Sequence, residues 1–118
     1  MKYVLLVYGE EKDLFALTPE RSAKLDTDSL AYDRELDRQG KLIIAQALQP
    51  VSKSKSLRRR KGKRLVTDGP FAETKEQLLG FVMVEAADLD EALAIADRIP
   101  LAELGTVEVR AIYNVPGS

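Results

Sequence analysis

Twice along this chain an apolar run that suits a strand leads into a helix with a marked start and stop, and then into another apolar run. "KYVLLVY" at 2–8 is apolar and β-branched enough for a buried strand. The stretch from Gly9 to Leu17 reads as a polar connector. "TPER" at 18–21 then opens a helix: Thr18 caps free amides, Pro19 suits the first helical position, and Glu20 favours the positive end of the dipole. This helix is expected to reach about Gln39, with Gly40 as a left-handed stop. "KLIIAQALQ" at 41–49 is the second strand, closed by Pro50. The second unit begins with "LLGFVMVEA" at 78–86 and continues with "DLDEALAIADRI" at 88–99. That helix has Asp88 and Glu91 at capping-box spacing and Pro100 as its stop. "TVEVRAIYN" at 106–114 completes the unit as a strand, with Val107, Val109, Ala111 and Tyr113 on one face.

Between the units, "SLRRR" and "KRLVT" flank Lys61-Gly62 and predict a β-hairpin, although Lys-Gly is weaker turn chemistry than Asn-Gly. A β-α-β unit, an inserted hairpin and a second β-α-β unit predict an α+β fold of the ferredoxin-like, split βαβ type. The 118 residues suit a single domain over 1–118. Two helices cover only one face of such a sheet. Leu5 beside Leu6 and Val82 beside Met83 nevertheless make both faces apolar. An uncovered apolar face calls for a partner, and a homodimer is the expectation.

Composition narrows the chemistry. The chain has no cysteine and no histidine, which excludes disulfides, thiolate catalysis and any Ser-His-Asp or Cys-His arrangement, and disfavours zinc and copper. A general base must be a carboxylate, a depressed lysine or a tyrosine. "DLDEA" at 88–92 has a metal-like look but opens a helix, and capping accounts for it. Neither a phosphate loop nor a dinucleotide fingerprint occurs, so no cofactor is expected. The apolar start from Tyr3 to Tyr8 is six residues, too short for a membrane span or a signal-peptide core, and a cytoplasmic location is expected.

The connector "TDGPFAETKE" at 67–76 holds most of the candidate site. Asp68 can fold onto nearby amides as a turn carboxylate, Gly69 opens backbone angles closed to other residues, and Pro70 fixes the next step. Phe71 is expected to plug an apolar gap. A carboxylate held half-buried beside it would titrate higher, which makes Asp68 the first candidate base, although a turn carboxylate accepting amide hydrogen bonds accounts for it more simply. Glu73 and Lys75 follow as substrate contacts. A second group lies on the first long helix, where Ser22, Leu25, Ser29, Tyr32 and Leu36 share one face. Buried hydroxyls need partners, so Ser29 and Tyr32, with Tyr8 at the end of the first strand, are expected to line a pocket between this helix and the sheet, with the 67–76 connector at its rim. The competing reading makes this the polar face, with Leu30 marking the core.

Net charge is −1 but unevenly spread: Val51 to Arg64 carries eight Lys or Arg and no acid. A hairpin so charged could follow phosphates. It lacks interleaved aromatics, and its alternate residues face opposite ways, so nucleic acid is disfavoured and a solvated edge hairpin preferred.

"DGPFAETKE", followed by "LLGF" and "VEAADLDEAL", closely resembles the DGPF subgroup of the YCII-related family. "KYVLLVYGEE" and "GTVEVRAIYN" resemble that family's termini, so the resemblance spans nearly the whole chain. It implies a dimer related to the dimeric α/β barrels. The matched positions it offers as a site are Asp68, Gly69, Pro70, Phe71, Glu73, Thr74, Lys75 and Glu76. Founding members carry a His-Asp pair proposed as catalytic, and one relative removes HCl from a chlorinated ring-cleavage product. Without histidine, that dyad does not transfer. The resemblance thus implies a small-molecule-binding dimer, with lyase- or isomerase-like carboxylate chemistry as its enzymatic form. The alternative is a non-catalytic interaction protein, since genes of the subgroup often neighbour those of extracytoplasmic-function sigma factors.

Overall fold

In a computed structural model describing residues 1–118, the strands are β1 (Lys2–Gly9), β2 (Leu42–Ala47), β3 (Lys55–Arg60), β4 (Lys63–Asp68), β5 (Gln77–Glu85) and β6 (Thr106–Ala111). The helices are α1 (Glu11–Phe15), α2 (Pro19–Arg38) and α3 (Leu89–Asp97), with 3-10 turns at Val51–Lys53 and Pro100–Glu103. The fold is α+β. Four antiparallel strands form the main sheet in the order β2-β5-β1-β6, and β3 and β4 form a separate two-stranded sheet.

The punctuation residues act as their chemistry dictates. Thr18 Oγ1 accepts the Arg21 amide at 3.2 Å, and Gly40 takes φ +71° just beyond α2. Asp88 Oδ1 accepts the Glu91 amide at 2.9 Å, while Glu91 reaches back to the Ala87 amide at 3.1 Å. Lys61 and Gly62 both have positive φ (51° and 74°), the pattern of a two-residue hairpin turn that matches strand twist.

Several boundaries differ from the sequence reading, among them the second strand, which ends at Ala47. Glu11–Phe15 is a short helix rather than a plain connector, because the Gln77 side chain accepts the Glu11 amide at 2.9 Å and holds its first turn. The helix of the second unit stops at Asp97, two residues early, since the chain turns into Pro100–Glu103. The last strand ends at Ala111, which leaves Tyr113 exposed.

Burial follows strand alternation. Tyr3, Leu5 and Val7 of β1 and Val82 and Val84 of β5 are buried against Tyr32 and Leu36 of α2 and Ala92, Ile95, Ala96 and Ile99 in and after α3. The opposite face of the sheet is apolar but uncovered. There Val4 aligns with Met83 and Ile44, and Leu6 with Phe81, all half-buried or exposed. The accessible surface is 8620 Å², whereas a chain of 13.1 kDa folded as a closed monomer exposes about 6,400 Å². The radius of gyration is 16.3 Å, against about 13.5 Å for a closed domain of this length.

Candidate functional site

The long helix lies across the sheet so that one of its faces meets β2 and β5. Along that face Leu25, Ser29 and Tyr32 follow each other at helical spacing, and Asp33 sits one turn beyond Ser29 at its flank. Beneath them the sheet is low, because Ala45 and Gly80 present almost no side chain there. Gly80 is required at that place: a Cβ would lie 2.6 Å from the Gln46 carbonyl oxygen on the neighbouring strand. Ile99, Pro100 and Leu101, after α3, close the end. The result is a cavity of about 460 Å³ between α2 and the sheet, walled mainly by apolar side chains.

Its polar groups are few, and the charged ones are of one sign. Asp26 and Asp33 line it together with Ser29 and Gln46, and no lysine or arginine does. Burial pushes the Asp33 carboxyl above the ordinary aspartate value, and the adjacent Arg34 opposes this only in part. The Tyr32 hydroxyl is committed elsewhere. It donates to the Ile95 carbonyl at 2.7 Å, and the Arg98 guanidinium lies 4.9 Å over its ring while binding both Glu35 oxygens at 2.9 and 3.2 Å. Tyr32 therefore joins α2 to α3 and gives the cavity a ring wall. Its phenol is also raised, first by burial, with Arg98 opposing. Leu30 is 56% exposed and Leu36 2%, so the stripe Ser22–Leu36 is the inward face of the helix and the competing assignment is excluded.

The connector builds a different place. Asp68, Gly69, Pro70, Phe71, Glu73, Thr74 and Glu76 border a second cavity, of about 780 Å³ and more polar, with Tyr8 and Leu78. Val7 borders the first cavity and Tyr8 this one, because successive residues of β1 face opposite ways, while on β5 a register shift leaves Leu79 unpaired between Leu78 and Gly80. Tyr8 is thus separated from Ser29 and Tyr32 by the sheet. Gly69 turns the chain at φ +85°, its amide donating to the Ser54 carbonyl at 2.8 Å and its own carbonyl accepting from Ser56 Oγ at 2.8 Å. The Thr74 hydroxyl donates to the Glu76 carbonyl, and Lys75 Nζ lies 3.6 Å from Glu10.

The burial expected at this corner is absent. Phe71 is 77% exposed and plugs nothing, and the Asp68 side chain is 87% exposed in an ion pair with Lys55. The desolvation expected of Asp68 beside an aromatic is therefore missing, since the hairpin leaves the corner standing in solvent. The carboxyl that burial does push upward is Asp33, which sequence reasoning passed over. Its signal was present in the spacing: Asp33 follows Ser29 by four and Asp26 by seven, so all three border one helical face.

No group of side chains with metal-ligating character is assembled, and no helix is long and apolar enough to cross a membrane. The YCII-related domain matches the chain over residues 1–116. An uncharacterised protein of Rhizobium meliloti (strain 1021) is 40% identical over 121 residues, covering 99% of this chain and 97% of the relative. With the domain spanning the chain from end to end, this protein belongs to the YCII-related family.

Proposed function

We propose that this protein is a small-molecule-binding homodimer whose ligand occupies the cavity under α2, with Asp33 as the group that recognises it. The observation that carries the reading is a half-buried carboxyl, raised by burial, in a mainly apolar cavity that no lysine or arginine lines. Such a site favours an apolar ligand bearing an amine or a neutral hydrogen-bond donor. It disfavours a carboxylate or phosphate, which would meet Asp26 and Asp33 with no counter-charge. A carboxyl raised by burial and lining the cavity is also placed to give or take a proton, so the proposal extends to lyase- or isomerase-type proton transfer with Asp33 as acid or base.

The dimer is supported by the uncovered apolar face of the sheet. The surface in excess of a closed monomer is about 2,200 Å², more than twice the roughly 800 Å² that one partner buries in a standard interface. The strand order β2-β5-β1-β6 agrees with a ferredoxin-like arrangement, and "DGPF" at 68–71 with the DGPF subgroup. A cytoplasmic location belongs to the same proposal.

Three probes sharing one ring but differing in charge test the ligand class: benzylamine, benzyl alcohol and benzoate, each in a thermal-shift series on the native chain and on Asp33→Asn. Ligand that binds only the folded state raises the melting temperature by mass action. Benzylamine is expected to give the largest rise and benzoate none, and the benzylamine rise is expected to shrink in Asp33→Asn. Equal stabilisation by benzoate, or a full benzylamine response in Asp33→Asn, contradicts the assignment.

A further inference from the structure

The β3–β4 hairpin stands apart from the four-stranded sheet and its helices. It forms its own two-stranded sheet, and every residue of its strands is exposed except Ser56, which is half-exposed. A lone two-stranded hairpin is marginal in water, because it has no second layer on which to bury a face. This one nonetheless carries apolar side chains. Leu57 and Val66 are cross-strand partners on one face, 59% and 48% exposed, and Leu65 on the other is 52% exposed. Solvated edge strands do not need three large apolar residues, so charge alone does not explain the segment.

Its charge is opposite to that of the remainder. Lys55–Asp68 contains seven Lys or Arg and one acid, a net +6 in a chain whose total is −1, which leaves −7 on the other residues. A body and an arm of nearly equal and opposite charge, on the same chain but not packed together, are complementary between two copies. The geometry also suits this. Six residues per strand give an arm of about 20 Å, and the molecule is 19 Å across its thinnest direction.

We propose that the β3–β4 hairpin is an arm that docks on the acidic body of a second copy of this chain, each copy clasping the other. Leu57 and Val66 supply the apolar contact, and Arg58, Arg60 and Lys63 on the opposite face supply the charge that steers it. The inference rests on the homodimer reading and adds how the two copies hold each other. It also assigns part of the surface in excess of a closed monomer to the arm, leaving the rest to the open sheet face.

Sedimentation equilibrium of the full chain, in low and in high salt, tests both levels separately. It is run beside a variant carrying Arg58→Glu, Arg60→Glu and Lys63→Glu. Circular dichroism of that variant checks that the four-stranded body, which does not include the hairpin, is intact. The arm predicts a native dimer whose dissociation constant rises at least about tenfold in the variant, as like charges replace attraction, and which also weakens with salt in the native chain. A dimer indifferent to both salt and charge reversal overturns the arm and leaves the homodimer standing. A native monomer overturns both. If the dimer is indifferent while a DNA or RNA oligomer binds the native chain and not the variant, the arm serves a polyanion and the proposal is wrong. The chain lacks cysteine, so Arg60→Cys labelled with a photo-crosslinker gives an independent reading. Capture between copies at acidic residues of the body supports the arm; capture only within one copy refutes it.

Discussion

Removing the Tyr32 hydroxyl isolates one interaction that the structure holds responsible for joining its two long elements. In Tyr32→Phe the ring remains over the cavity and under Arg98, and the lost contact is the 2.7 Å bond to the Ile95 carbonyl. That carbonyl is not orphaned, because it still accepts the Arg98 amide at 3.2 Å. The loss therefore approaches that of one ordinary hydrogen bond, about 1 kcal/mol, rather than the larger penalty of an unpaired buried acceptor. For a domain near this length that corresponds to a melting temperature lower by about 4 °C. The pH dependence supplies a second check. The folded phenol is raised above its ordinary value of 10.0, so the stabilisation tied to its proton is fully present below pH 10 and is lost as pH rises through the folded value. Phenylalanine has no proton to lose, so the gap between the two proteins narrows above pH 10. Calorimetric melts of both proteins across that range provide the comparison. A variant as stable as the native chain at pH 7, or a gap unchanged through the alkaline range, refutes the role given to Tyr32.

Asp33→Asn is expected to raise the melting temperature at pH 7, because it removes a carboxyl whose charged form is disfavoured by burial. The gain fades as pH falls toward 3.8, where the native carboxyl is also neutral in the unfolded chain, and a gain independent of pH contradicts the assigned cause. Asp68→Asn breaks only an exposed ion pair and is expected to change stability by no more than about 0.5 kcal/mol in urea melts. Gly105→Ala places a Cβ 2.0 Å from the Tyr8 carbonyl oxygen, within backbone rather than a movable side chain. It is expected to lower the urea midpoint by a margin well outside that of a surface substitution, because β1 and the chain entering β6 must separate.

What could be read from the chain, and what could not, follows the range of the forces involved. Thr18, Gly40 and Asp88 act within a few residues of themselves, so the helix starts and the α2 stop were legible, as was the Lys61-Gly62 turn. The inward stripe from Ser22 to Leu36 was legible because helical spacing alone defines it. Helix α1 was not, since the contacts around it come from Gln77, 66 residues away, and Val51, whose amide donates to Glu11 at 3.1 Å. Phe71 misled for a similar reason. An aromatic in a glycine-proline corner suggests a plug, but the adjoining hairpin turns away from the core and leaves it in water. Asp33 went unnoticed because the cavity it borders is completed by Ile99, Pro100 and Leu101, which sequence places far along the chain and only the packing of α3 brings back.

The central claim is that the ligand site lies under α2 around Asp33 and not at the 67–76 connector. Backbone-amide NMR of the full chain, titrated with benzylamine, separates the two directly. The account predicts saturable shifts concentrated at residues 25–33 of α2 and 79–82 of β5, where the cavity is built. Saturable shifts confined to residues 68–78, or none at all at the α2 cavity, contradict it.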